Sequence, residues 1–221
     1  MKKAPKRAPK DKAAFVPRKA PRQERAQATV DAILTACARI LREQGYEGLT
    51  TNKVADAAGV SVGSLYQYFP GKDALVAATM LSFSERQQKY LFAAMASVGN
   101  EPIARVIETV VRTLMEMSEA DPELSMVLMN QIPRVGEIGE VVAYFQETVT
   151  GPIQAFLEAR KDDIDVDNPR AAAFVLSHTI QPLLQRVHFS GLSKTERAQI
   201  FGELTRMITG YLLGRKSGRG F

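Results

Sequence analysis

At 221 residues, 45% hydrophobic and 24% charged, the chain has room for one large domain or two modest ones around a buried core. No apolar run approaches the roughly 20 residues that cross a bilayer, and no hydrophobic stretch follows the basic N-terminus as it would in a secretory signal. The single Cys37 excludes an internal disulfide framework and suits a reducing cytoplasm.

In chain order the first feature is a basic arm, residues 1–22. It holds Lys2, Lys3, Lys6, Arg7, Lys10, Lys12, Arg18, Lys19 and Arg22 against Asp11 alone, so it is +8 while the rest of the chain is −3, within a total of +5. Pro5, Pro9, Pro17 and Pro21 predict disorder. Two readings stand for it: a non-specific phosphate-binding arm, or a solvated tail.

Residues 22–44 predict an amphipathic helix. Val30, Ile33, Leu34, Cys37, Ala38 and Leu41 recur at helical spacing on one face, and Gly45 is a stop. Cys37 inside that stripe reads as a buried structural thiol.

The most informative stretch is Thr50 to Lys72, TTNKVADAAGVSVGSLYQYFPGK. Thr50 or Thr51 can cap a short helix through a hydroxyl that accepts an otherwise unpaired N–H. Gly59 supplies a residue free to take positive φ at a sharp turn. Ser61 is a second N-cap, and Pro70-Gly71 ends a second short helix. This is the layout of a helix-turn-helix, whose second helix enters the DNA major groove. With Val62, Leu65 and Phe69 inward, the sequence turns Gly63, Ser64, Gln67 and Tyr68 outward. Gln67 can read adenine and Ser64 either base type or a phosphate. Tyr66 and Tyr68 offer hydroxyls to phosphate, although partial burial is the competing reading, above all for Tyr66 beside Leu65. Gly63 admits a close backbone approach, and Lys72 at the next helix start can hold a phosphate with the free N–H groups there. Lys53 and Arg25 add local positive charge.

Over about residues 24–80 the chain resembles the TetR (tetracycline-repressor) family. The segment TTNKVADAAGVSVGSLYQYFPGKDAL matches its Thr-Thr, Val-Ala, Ala-Gly-Val-Ser, Gly-Ser-Leu-Tyr, Tyr-Phe and Lys-Asp-x-Leu positions at fixed spacing. The resemblance implies an all-α fold with an N-terminal three-helix DNA-binding domain and a larger helical domain for ligand and dimer contacts. It also implies that Thr51, Ser61, Gly63, Ser64, Tyr66, Gln67, Tyr68 and Lys72 lie at or near DNA. The arm departs from the family minimum. The expected division is a helix-turn-helix domain over 23–80, with its motif at 50–69, and a ligand-binding and dimerisation domain over 81–221.

Further helices are expected from Lys72 toward Ala96, from Ile103 through Met117, and from Asp121-Pro122 to Pro133. Another runs from Gly136 to Arg160, with a kink at Gly151-Pro152. In the resembled architecture the helix from Lys72 links the two domains, so its tilt can carry ligand state to the DNA-reading head. Residues 162–169 read as an acidic solvated linker. Asn168-Pro169 and Ser193-Lys194-Thr195-Glu196 announce the last two helices, about 169–189 and 194–213. Their broad apolar faces predict a homodimer interface or, alternatively, the rest of the monomer's core. The dimer reading is preferred because two-fold operators need two heads about 34–36 Å apart.

No catalytic triad, phosphate loop, metal-ligand spacing or cofactor motif is present in the sequence, so no enzyme is expected. Met115, Met126 and Met129, with Phe145 and Phe156 and the polar His178, are candidates for a pocket that takes a small hydrophobic ligand. His178 shares a polar stripe with Gln181 and Gln185. Ordinary core packing is the alternative for each of these residues. The reading is a cytoplasmic, ligand-responsive regulator, by preference a repressor, that binds a palindromic double-stranded DNA operator as a dimer. The rivals are a constitutive DNA-binding regulator and an enzyme on a helical scaffold.

Overall fold

The computed structural model describes residues 24–128, 132 and 136–214; the basic arm lies outside them. Among the described residues there are nine helices and no strand: α1 Glu24–Gly48, α2 Thr51–Ala58, α3 Val62–Tyr68, α4 Lys72–Ser97, α5 Ile103–Ala120, α6 Pro122–Met126, α7 Gly136–Ala159, α8 Pro169–Phe189 and α9 Lys194–Leu213. The chain divides into two compact units. One takes the described chain as far as Ser84, together with Met126–Phe145; the other takes Glu85–Ser125 and Gln146 onward.

In the first unit α1 buries Val30, Ile33, Cys37, Ala38 and Leu41 of the predicted stripe, together with Ala36 and Ile40, while Leu34 is only half-buried. The helix is broken at Gly45, which takes φ 69° and ψ −177°. A last turn then follows to Gly48, where a Cβ would meet the Gln44 Cβ at 2.7 Å. That crowding accounts for glycine at Gly48, while Gly45 serves the left-handed bend. α1 packs on α2, and α2 on α3. Leu49, Val54, Leu65, Phe69, Leu75 and Val76 are fully buried. Burial pushes the Cys37 thiol up to about 12, against a smaller opposing hydrogen bond with Thr79, so Cys37 is a protonated packing residue.

In the second unit one apolar cluster joins Ile103, Ile107 and Val111 of α5, Leu157 of α7, Ala172, Ala173 and Leu176 of α8, and Phe201, Leu204, Ile208 and Leu212 of α9. The stretch expected as a solvated linker, residues 162–169, differs from that expectation. Its Ile164 is 3% exposed and belongs to the same cluster, and Asp165 N donates to the Leu212 carbonyl at 2.7 Å. Ile164, with Val166 packed against the same cluster, ties this turn-and-bend segment to the core. Arg160 anchors its start, donating to Asp163 Oδ2 at 2.5 Å, the Gly99 carbonyl at 2.5 Å and the Glu101 carbonyl at 3.0 Å. The two helices with internal prolines, α7 at Pro152 and α8 at Pro182, continue through them. The predicted caps are present: Asn168 accepts from Ala171 N, and Ser193 and Glu196 form a reciprocal capping box.

Candidate nucleic-acid interface

The α2–α3 corner is built from short-range contacts. Thr50 is the N-cap of α2 and accepts from Lys53 N at 3.3 Å. At the other end Gly59 turns left-handed (φ 67°, ψ 31°) and its N–H reaches the Ala55 and Asp56 carbonyls. Val60 N then donates back to the Ala55 carbonyl at 3.0 Å. Two orphan carbonyls of α2 are thereby satisfied and the chain is aimed into α3. Ser61 caps α3, accepting from Ser64 N at 3.0 Å, and its hydroxyl is 2.8 Å from the Ser64 hydroxyl. The backbone of the corner is therefore fixed by residues within a few positions of each other.

α3 buries Leu65, Tyr68 and Phe69 and exposes Gly63, Tyr66 and Gln67. Tyr68 corrects the expectation that it faces outward: it is 7% exposed. The inward face of α3 is set by both the i+3 and the i+4 neighbours of Leu65, which are Tyr68 and Phe69. Tyr66 is 45% exposed, against the competing reading of partial burial, and its hydroxyl is 3.2 Å from that of Thr51. This pair bridges α2 to α3 and holds the Tyr66 ring on the outer surface. Gly63 has open space around it, since an added Cβ would meet nothing closer than the Ser61 Oγ at 3.9 Å. No packing among the described residues explains glycine there. Ser64 is half-buried and turned toward Ser61.

The two lysines of the corner are engaged within the chain. Lys53 Nζ donates to Gln44 Oε1 at 2.7 Å and to the Gly48 carbonyl at 2.8 Å, closing the C-terminal end of α1. Lys72 Nζ lies 3.9 Å from the centroid of the Tyr46 ring, a cation–π contact at the start of α4. Tyr46 in turn donates to Asp73 Oδ1 at 2.8 Å. Burial first, then the hydrogen bond to Asp73 and the charges of Asp73 and Glu47, push its hydroxyl up to about 12. Sequence reasoning missed both roles, because the partners of each lysine come from α1. The Gln44, Gly48 and Tyr46 contacts leave no local signal around residue 53 or 72.

Of the residues expected to form a ligand pocket, Met115, Met126, Phe156 and His178 lie among those whose side chains are described. Met126 is 40% exposed and belongs to the first unit. Met115 and Phe156 pack against the apolar cluster of the second unit. His178 stacks on Phe174 at 4.0 Å, and its Nδ1 is 2.9 Å from the Phe174 carbonyl, so the ring is tied to the preceding turn of its own helix. Met129 and the side chains of Phe145, Gln181 and Gln185 lie outside the described residues. A cavity of about 380 Å³ does exist elsewhere in the second unit, between residues 165–168 and the Gly210–Gly214 end of α9, with Tyr211 in its wall. Thioethers and aromatics at helical spacing serve ordinary packing as well as they line a pocket. Among the described residues no helix is long and apolar enough to cross a membrane.

A left-handed glycine between two capped short helices, with a polar outer face on the second, defines a helix-turn-helix DNA-binding regulator. The model of the bacterial regulatory proteins of the tetR family matches residues 33–79, and that of the tetracyclin repressor-like C-terminal domain matches residues 102–212. The chain belongs to the TetR family of transcriptional regulators. It is 27% identical over 186 residues to an uncharacterized HTH-type transcriptional regulator of Mycobacterium tuberculosis, covering 84% of this chain and 88% of that one. Its fold is similar to that of a TetR-family regulator from Mesorhizobium loti, with TM-score 0.73, 16% identity and coverage of 87% and 98%. It is also similar to NalD, the secondary repressor of the MexAB-OprM multidrug efflux pump in Pseudomonas aeruginosa, with TM-score 0.63, 17% identity and coverage of 84% and 98%.

Proposed function

We propose that this regulator is a cytoplasmic homodimeric repressor that binds a palindromic operator and is released by a small, mostly hydrophobic molecule. The observation that carries the DNA reading is the outer face of α3, where Gln67, Tyr66 and Gly63 stand exposed on a helix fixed by Gly59 and Ser61. Gln67 pairs with adenine in the major groove. Tyr66, steadied by Thr51, gives its hydroxyl to a phosphate, and Gly63 lets the sugar-phosphate backbone come close. Ser61 and Ser64 add hydroxyls at the helix start. Lys53 and Lys72 reach phosphate only by sharing an ammonium that already has partners within the chain.

Dimerisation is supported by four apolar residues left exposed on the last two helices. Phe174 and Val175 of α8 are 56% and 49% exposed, and Met207 and Tyr211 of α9 are 51% and 44% exposed. Other faces of the same helices carry the monomer's core, so the broad apolar stripe seen in the sequence is wide enough for both purposes. A ligand that releases DNA must bind the released state more tightly than the DNA-bound state. The packing of Met115 and Phe156 against the core favours a second reading, constitutive DNA binding without a ligand.

The test is protection of DNA beside the protein's own gene. A protected palindrome, lost in Gln67→Ala with the fold intact, is the expected result. Absence of any protected site refutes the operator reading. Thermal-shift hits that also release the operator separate the ligand-responsive reading from the constitutive one.

A further inference from the structure

Residues around the break in α1 hold both lysines of the reading corner. Gly45 interrupts the helix with a positive φ of 69°. On either side of it, Gln44 and Gly48 take two of the three donors of the Lys53 ammonium. Tyr46 holds Lys72 by a different means, its ring centroid lying 3.9 Å from Nζ. A ring face attracts an ammonium through its quadrupole, and the N–H groups that point away from the ring stay available to another acceptor. Among the described residues no carbonyl or carboxylate takes them. Lys72 is therefore held in place and still able to donate, whereas Lys53 has most of its capacity engaged.

Asp73 follows Lys72 in the first turn of α4 and is exposed. Its carboxylate would neutralise the ammonium if the two paired. Instead Asp73 Oδ1 accepts from the Tyr46 hydroxyl at 2.8 Å. One tyrosine thus meets both side chains, the lysine at its face and the aspartate at its hydroxyl tip. Burial first, then the hydrogen bond and charge of Asp73 and the charge of Glu47, push that hydroxyl up to about 12, so it stays a donor at physiological pH. A lysine stem loses rotamer freedom when its end is fixed on a phosphate. A stem already held over a ring has less to lose on binding.

We infer that Tyr46 is a positioning residue for operator binding: its ring holds the Lys72 ammonium ready for a backbone phosphate, and its hydroxyl keeps Asp73 from neutralising that ammonium. This inference rests on the proposed DNA-regulator function and adds to it a residue that acts only through Lys72.

The test titrates the full chain and its variants with the protected operator and a scrambled duplex of equal length, between about 50 and 200 mM salt. Urea unfolding checks the fold of each variant. Lys72→Gln should make the slope of log affinity against log salt shallower by about 0.9 per protomer. Tyr46→Leu should weaken operator binding about threefold per protomer, the size of an exposed cation–π contact, and should change nothing further in the Lys72→Gln background. Tyr46→Phe keeps the ring and frees the carboxylate. It should weaken binding in the otherwise native chain but not in the Asp73→Asn background, where no charge remains to compete. A Tyr46→Leu loss of equal size with and without Lys72→Gln overturns the inference, because the tyrosine then supports the fold rather than the ammonium. So does the absence of any loss in Tyr46→Leu, an unchanged slope in Lys72→Gln, or a Tyr46→Phe loss that persists with Asp73→Asn. If Tyr46→Leu does not fold, the Tyr46→Phe and Asp73→Asn comparison decides. Failure of the unaltered chain to prefer the operator over the scrambled duplex refutes the DNA-regulator reading itself.

Discussion

The corner between α2 and α3 and the stretch between α7 and α8 both join two helices, by opposite means. At the corner the turn itself is fixed by local contacts, Gly59 to Ala55 and Asp56, Val60 to Ala55 and Ser61 to Ser64, with the Thr51–Tyr66 hydroxyl pair as a longer link. In the 160–168 stretch the contacts are distant in sequence. Arg160 reaches Gly99 and Glu101, Asp165 reaches Leu212, and Ile164 enters a cluster drawn from α5, α7, α8 and α9. The first joint holds its shape through its own few residues, as a reading head requires. The second exists only when the whole unit around it has folded.

Substitutions sharpen this contrast, in order of size. Ile164→Ala removes a buried side chain from the common cluster and is expected to cost about 2–4 kcal/mol. Urea unfolding should report that loss, and amide exchange should rise across α5, α8 and α9 but not in α2 and α3. Arg160→Ala strips two backbone carbonyls and Asp163 of a charged donor, with an expected cost of about 2 kcal/mol and the same exchange pattern. A rise confined to residues 160–163 would mean that the linker is a local joint after all. Gly59→Ala meets no atom within 4 Å, so its cost is conformational alone, about 1 kcal/mol for a side chain held at φ +67°. Its exchange effect should be limited to α2 and α3, and operator affinity should fall with it. Ser61→Ala loses the cap and is expected to cost about 1 kcal/mol or less, again confined to the corner, with Ser61→Asp recovering most of it.

The same contrast explains how much was legible in the residues alone. Caps at Thr50, Ser61, Asn168 and Ser193 and the left-handed Gly59 follow from chemistry within four residues, and the helix ends they mark agree with the structure. The α1 stripe was legible because about seven turns average out the uncertainty in its phase. α3 has only seven residues, so its buried face could not be fixed by periodicity, and Tyr68, read as outward, is buried. Ile164 was hidden by its acidic neighbours, whose composition describes a solvated loop while one side chain decides otherwise. The apolar face of α9 was visible, but the sequence does not say that Phe201, Leu204, Ile208 and Leu212 turn inward while Met207 and Tyr211 turn away. That choice depends on which other helices cover it.

Lys53 has a consequence for anyone who maps the regulator by random mutagenesis. It sits in the reading corner, carries a positive charge, and would be collected among variants that lose operator binding. Its ammonium nevertheless closes the end of α1 on Gln44 and Gly48. Loss at this position would be a fault in the hinge pin rather than in the key, and a second substitution that repairs the α1 end without restoring charge would return the phenotype to normal. Genetic suppression, rather than affinity alone, distinguishes the residues that hold the reader in position from those that read.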